Sequence, residues 1–343
     1  MTIEMLSPLY DGPMHSTFTS RMTCIGAATA LLLTLAAAPA AAQELKTWRH
    51  GVIEAKSDAG FMLMASRRGF AEKQGLKIDV LQVKSDTIGL KALLAGELDS
   101  YEGGPGGAVV AASRGADVKI LGCHWPTLVH GVFVRSTVAT VQDLKGKAFA
   151  ISAPGAMPDL LARAVLEKYG IAPSEVRFAN LGSDLDRFKA LSAGVVDAGV
   201  VSTEYLPIAP KDIRLLFAAR DVMPNFVRIC FVTSGKVLSE RRDDAVHFVA
   251  SEIAALRFAV AHRDDTLALT REVTKAKDDD PRPGFIFDEA VKYKDVDPEA
   301  PLSLDKIEWM KATLTKTTNL PPFDLAKLVD ADVRAKALAL LGK

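Results

Sequence analysis

From Lys77 to Val83 apolar and polar positions alternate, and the segment that follows switches to apolar positions three and four apart. A period of two marks a strand half buried on a sheet, and a period near 3.6 marks a helix with one buried face. The same reading predicts a strand at 47–53, a helix at 61–74 stopped by Gly75, and a helix capped by Asp86 after the 77–83 strand. A short strand at 99–102 then runs into Gly103-Gly104-Pro105-Gly106-Gly107, followed by a helix at 108–114 and a strand at 118–123. Further on, strands are predicted at 131–135, 148–152, 176–180, 198–202, 213–218 and 228–233, with a helix at 159–169 stopped by Gly170. Strands alternating with helices through short loops define an α/β protein with mainly parallel sheets covered by helices. From Ser239 the pattern changes to helices at 243–262, 266–275, 303–315 and 325–341, with 278–284 as a charged surface loop.

One stretch occurs twice. Leu90-Lys-Ala-Leu-Leu-Ala-Gly-Glu-Leu-Asp99 and Phe188-Lys-Ala-Leu-Ser-Ala-Gly-Val-Val-Asp197 share six of ten positions, and their closing aspartates lie 98 residues apart. Each copy reads as a helix ending at a glycine, with an acidic residue opening a short apolar strand. Two lobes of like topology are therefore expected, with a cleft between them. The division expected is 43–130 for the first part of lobe 1, 131–233 for lobe 2, and 234–343 for a return to lobe 1 and a helical C-terminal part. The chain is expected to cross between lobes near Cys123–Gly131 and near Thr233–Gly235.

The N-terminus changes the picture by placing the protein outside the cytoplasm. Cys24 to Ala38 is an unbroken small and apolar stretch preceded by Arg21 and followed by Ala40-Ala41-Ala42-Gln43. That is the layout of a signal peptide over residues 1–42 with cleavage after Ala42, and the stretch is short for a membrane span. Translation could start at Met1 or at Met14. Cleavage would leave 41 basic and 40 acidic side chains, a near balance that points to neither nucleic acid nor an anionic membrane surface. Cys123 and Cys230 would remain, read as buried thiols with a single bridge between them as the alternative.

Five segments taken together resemble a known family. They are Gly69-Phe-Ala-Glu-Lys-Gln-Gly-Leu-Lys-Ile78, the two repeat copies, Val141-Gln-Asp-Leu-Lys-Gly-Lys147 and Leu161-Ala-Arg-Ala-Val-Leu-Glu-Lys-Tyr-Gly170. Over roughly residues 47–235 the chain resembles the periplasmic solute-binding proteins of ABC importers, in the group that binds aliphatic sulfonates, taurine, nitrate and thiamine-pyrimidine precursors. The resemblance implies a two-lobe type II binding fold, each lobe a mainly parallel sheet flanked by helices. It also implies a small-molecule ligand, an ABC permease in the inner membrane as partner, a periplasmic location, and no cofactor. A monomer is expected. A membrane receptor that reads the closed form is the alternative partner.

Open α/β sheets bind ligands beyond the carboxyl ends of their strands. That rule makes candidates of Ser57 and Asp58, of Glu102, Gly103 and Gly104, of His124 and Trp125, of Pro154, Gly155, Ala156 and Met157, and of Ser202, Thr203 and Glu204. The turns at Gly103–Gly107 and Gly155–Met157 precede helices whose first N–H groups can hold an anionic oxygen, or are tight turns that need glycine. Trp125 is read as a ring for stacking or as cover for a hydrophobic gap, and His124 as a donor. Glu102 and Glu204 would instead suit a cationic or amine-bearing ligand, so the ligand's charge stays open. No Gly-x-Ser-x-Gly, no His-Glu-x-x-His and no cysteine-rich pyrimidine-synthase motif occurs. Binding without catalysis and without a metal is the reading.

Overall fold

The computed structural model describes residues 44–53 and 55–342; the expected signal peptide lies outside the described residues. Two five-stranded mixed sheets form the frame, each flanked by helices. The first contains β1 (Lys46–Ile53), β2 (Leu76–Val83), β3 (Ser100–Gly103) and β4 (Val118–Trp125). The second contains β5 (His130–Arg135), β6 (Ala148–Ile151), β7 (Arg177–Asn180), β8 (Ala198–Ser202) and β9 (Ile213–Ala218). The last strand, β10 (Ile229–Ser234), returns to the first sheet, where it lies antiparallel between β3 and β4. The sequence reading had put this strand in the second unit. The chain therefore returns across residues 219–228 rather than near Thr233–Gly235, because the buried strand pairs with β3 and β4.

The helices follow in chain order. They are α1 (Ala59–Met62), α2 (Met64–Arg67), α3 (Asp86–Leu94), α4 (Pro105–Ser113), α5 (Met157–Lys168), α6 (Asp184–Ser192) and α7 (Ala219–Val222). Then come α8 (Gly235–Ala261), which breaks at Arg241, α9 (Arg263–Thr274), α10 (Arg282–Lys292), α11 (Leu304–Thr318) and α12 (Ala331–Leu340). Three expectations need correction. The single helix predicted over 61–74 is two short helices and a 3-10 turn, and α10 begins inside the segment read as a loop. Ser85, not Asp86, caps α3, accepting from the Ile88 N–H.

The repeat explains why the two sheets share the strand order β2-β1-β3 and β7-β6-β8. It extends beyond those ten residues: Ser85-Asp86 and Ser183-Asp184 stand at the same distance before Asp99 and Asp197. Each serine caps its helix, and each helix ends at a glycine of positive φ, 77° at Gly96 and 73° at Gly194. Each closing aspartate then accepts a backbone N–H from the neighbouring strand, Arg49 to Asp99 at 2.8 Å and Ala148 to Asp197 at 3.0 Å. Each opening aspartate accepts an N–H at the end of the next strand, Gly104 to Asp86 at 2.9 Å and Ser202 to Asp184 at 3.2 Å. Like residues thus pin both ends of a strand–helix–strand unit in both sheets.

The first sheet buries Trp48, Phe231 and Phe248 on one face and Tyr101, Ile120 and Val232 on the other. The second buries Val132, Phe149 and Leu161 on one face and Phe133, Leu191 and Val201 on the other. The C-terminal chain covers the free edge of β4: Ile120 donates to Leu328, Cys123 to Pro301, and Asp297 to the His124 carbonyl. A covered edge cannot recruit a foreign strand. Cys123 and Cys230 form a disulfide between β4 and β10, which corrects the expectation of free buried thiols. The bridge closes a sequence separation of 107 residues. Replacing both cysteines by alanine should lower unfolding stability by about 2–4 kcal/mol, read by urea denaturation of the variant against the oxidised wild type.

Candidate functional site

The antiparallel placement of β5 and β10 decides where the two sheets meet. The carboxyl ends of β1, β3 and β4 point the same way as the amino end of β10, and the amino end of β5 lies beside the carboxyl end of β8. Both crossings, 126–129 and 219–228, therefore run between the functional ends of the sheets. At that junction Lys56, Ser57, Asp58, Val129, His130, Ser202, Glu204, Arg228 and Ile286 line a cavity of about 20 Å³, room for about one water molecule.

The walls are joined by bonds that cross from one sheet to the other. Lys56 Nζ donates to Asp184 Oδ2 at 2.9 Å, and Ser57 Oγ donates to Glu204 Oε2 at 2.6 Å. On the first-sheet side Arg228 bonds Asp58 and lies 4.4 Å over the Trp125 ring. On the second-sheet side Arg187 bonds Asp184 at 2.5 Å, with His130 Nε2 3.6 Å from the same carboxylate. Burial opposes the charge of Asp184, but donation from His130 and the cations of Lys56 and Arg187 hold it well below the usual carboxylate range. Burial likewise opposes Asp58, and Arg228 and Lys56 outweigh it and lower its pKa. Glu204 differs. Burial raises its pKa, and the Ser57 hydrogen bond and the Lys56 charge offset that only partly.

Of the residues singled out from sequence, Ser57, Asp58, Ser202 and Glu204 come together in the cavity wall. The others do not line it. Trp125 is fully buried, stacked edge-on against Phe61, and serves as the platform under Arg228. Thr203 is buried and bonds the Val129 carbonyl at the first crossing. The two glycine turns hold anions already, and those anions are the protein's own. Gly104 N–H points at Asp86, and a side chain at Gly103 would collide with that carboxylate. Gly155 N–H donates to Asp159 at 2.8 Å, while Pro154 and Ala156 stay outside the cavity wall and Met157 packs on the second-sheet core.

Sequence reasoning missed Lys56, His130, Asp184 and Arg228. Asp184 was legible, since extending the repeat pairs it with Asp86; the others carry no local pattern. A larger hollow of about 380 Å³ lies at the far end of the first sheet, where Asp99 already takes Arg49 and Arg241 at 2.7 and 2.9 Å. Among the described residues no group of three histidine, cysteine or acidic side chains is placed to hold a metal ion.

Glu102 and His124 sit beneath the cavity, both fully buried, with His124 Nε2 3.2 Å from Glu102 Oε2. Burial pushes Glu102 well above the usual carboxyl range, helped by Glu252, and pushes Glu252 up to about 8. Burial pushes both His124 and His50 down to about 3. Burial thus disfavours the charged form of both partners.

Residues 56–266 match the family described as NMT1/THI5 like, and the chain belongs to that family. A protein of Brucella abortus whose name proposes a binding role is 31% identical over 219 residues, 62% of this chain and 66% of the relative. The chain thus matches just under two thirds of that relative's length. Among solved structures, the periplasmic aliphatic sulphonate binding protein of Escherichia coli superposes with a TM-score of 0.66 at 18% identity, over 85% of this chain and 97% of that one. The periplasmic nitrate-binding protein of Synechocystis gives 0.64 at 13% identity, over 87% and 89%. These likenesses establish the periplasmic binding protein fold.

The raised buried carboxyls give a sign to the pH dependence. A carboxyl whose folded pKa is raised contributes stability that is full below its unfolded value near 4.5 and lost as pH rises through about 8. The two imidazoles act oppositely, their contribution being lost as pH falls from 6.5 towards 3. Unfolding stability should therefore decline between pH 6 and 8, by up to about 1.4 kcal/mol per pH unit for each extra proton held. Glu252→Gln should flatten that decline in urea denaturation repeated across the range; an unchanged slope would contradict the assignment.

Proposed function

We propose that this chain is an exported solute-binding protein that captures a small molecule between two lobes and delivers it to an ABC permease. The observation that carries the reading is a cavity whose walls come from both sheets, joined by Lys56–Asp184 and Ser57–Glu204 across a double connection. Two crossings allow hinge bending and resist twisting, and a ligand that touches both walls can drive closure. The sulfonate- and nitrate-binding neighbours and the family assignment support capture of a small polar solute. The disulfide fits an oxidising compartment such as the periplasm.

The lobes we propose are the two sheets with their helices, the C-terminal helices moving with the first. Arg220 on α7 would then join the lobes beside the hinge. It meets Glu289 at 3.2 Å and Asp295 at 3.6 Å, and it lies 3.6 Å over the Tyr293 ring. Asp295 also accepts from Thr127 in the first crossing, so one buried carboxylate touches both hinge strands. We read the protein as a binder and not an enzyme, because the cavity hydroxyl of Ser57 is tied to a carboxylate and that of Ser202 caps its own turn.

Protein purified from the periplasm should begin at Gln43 and carry a bound small molecule in native mass spectrometry, returned chemically unchanged after long incubation. A chain that never carries an adduct would refute solute capture. Small-angle scattering should show a larger radius of gyration for the Lys56→Met/Ser57→Ala double variant than for wild type. Equal radii for the two folded proteins would show that these bonds do not hold the lobes shut.

A further inference from the structure

The pairs across the cleft are not equivalent, and the difference specifies the ligand. Asp58 and Arg228 are partners on the same side, and so are Asp184 and Arg187, so both pairs survive when the lobes part. Lys56 and Glu204 are different, since the direct bonds recorded for their side chains run across the cleft. Among the described residues no lysine or arginine bonds Glu204 directly. The nearby Arg282 is tied to Asp280 at 2.6 Å. Parting the lobes therefore leaves a free ammonium on one wall and a free carboxylate on the other.

A second observation lies on the Lys56 wall. Arg228 Nη1 is buried and has no hydrogen-bond partner, although the same guanidinium is fixed by Asp58 and by the Trp125 ring. It is a positioned donor in need of an acceptor, and buried donors are rarely left unmatched. On the opposite wall Glu204 is held near the start of its turn, where its N–H donates to Ser202 Oγ at 3.4 Å. A bare anion would satisfy Lys56 and Arg228 and strand Glu204 as an unpaired buried charge. A bare amine would do the reverse. Stranding one member of a buried pair is the costly arrangement.

We propose that the cleft selects a small zwitterion, with a protonated amine on Glu204 and an acid group on Arg228 and Lys56. This rests on the two-lobe capture reading above. The ligand replaces both bridging bonds at once, taking the place of Ser57 on Glu204 and of Asp184 on Lys56. Recognition is by paired charges and not by ring stacking, because Trp125 is already covered by Arg228. Val129 and Ile286 supply apolar lining for a short alkyl spacer. The helix N-termini after Gly104 and Gly155 add nothing for an acid group, since Asp86 and Asp159 fill them.

The test uses the mature protein in thermal unfolding with β-alanine, 4-aminobutyrate and 6-aminohexanoate. Each is compared with the matching acid lacking the amine, the matching amine lacking the acid, methanesulfonate and nitrate. At least one ω-amino acid should raise the melting temperature with dose, as ligand linkage requires, and its two halves should not. Glu204→Gln should weaken that ligand at least about ten-fold. Protection by an acid, methanesulfonate or nitrate as strong as by the zwitterions would overturn the proposal, and so would protection by none of the ω-amino acids. Either result is separable from failure of solute capture itself, which native mass spectrometry of periplasmic protein reads without any chosen probe.

Discussion

Asp184 is the group on which the junction depends. Its carboxylate accepts from Arg187 and from the Ser202 N–H on its own side, and from Lys56 on the other. A carboxylate this buried is tolerable only when cations and N–H groups replace the water it has lost. The side chain therefore does two jobs with one charge. It fixes the end of β8, which places Ser202 and Glu204, and it draws the loop after β1 across the cleft.

The same logic governs the two glycine turns, with a different outcome. A helix N-terminus is a ready seat for an anion, and in this chain both seats are taken by carboxylates from nearby in the sequence. An internal carboxylate loses little further entropy on binding, so it holds the seat against a dilute external anion. The two sheets consequently present side-chain charges to the cleft. That is why the pairing pattern of Lys56, Glu204, Arg228 and Asp184 carries the chemical argument.

Around the two crossings the C-terminal third acts as a brace. Asp297 bonds the His124 carbonyl near the end of β4, Lys306 bonds the Pro126 carbonyl in the first crossing, and Glu289 and Asp295 reach Arg220 in the second. Lys294, Ala300 and Ser303 adopt positive φ in the same segment, a conformation that residues with a Cβ adopt at a cost. The segment follows the edge of β4 and the crossings instead of its own backbone preference, which marks it as held in place by its packing.

The α/β class and the glycine stops were legible in the sequence, because each follows from a pattern carried within a single element or turn. Ser57, Asp58, Ser202 and Glu204 were legible as well, since strand ends face the cleft in any open α/β sheet. The tertiary structure alone decided the rest. It put β10 into the first sheet, joined Cys123 to Cys230, and buried Trp125 beneath Arg228. It also matched Lys56 with Asp184, 128 residues away. Those outcomes depend on which distant segments compete for the same edge, the same charge or the same donor. A local pattern holds no record of that competition.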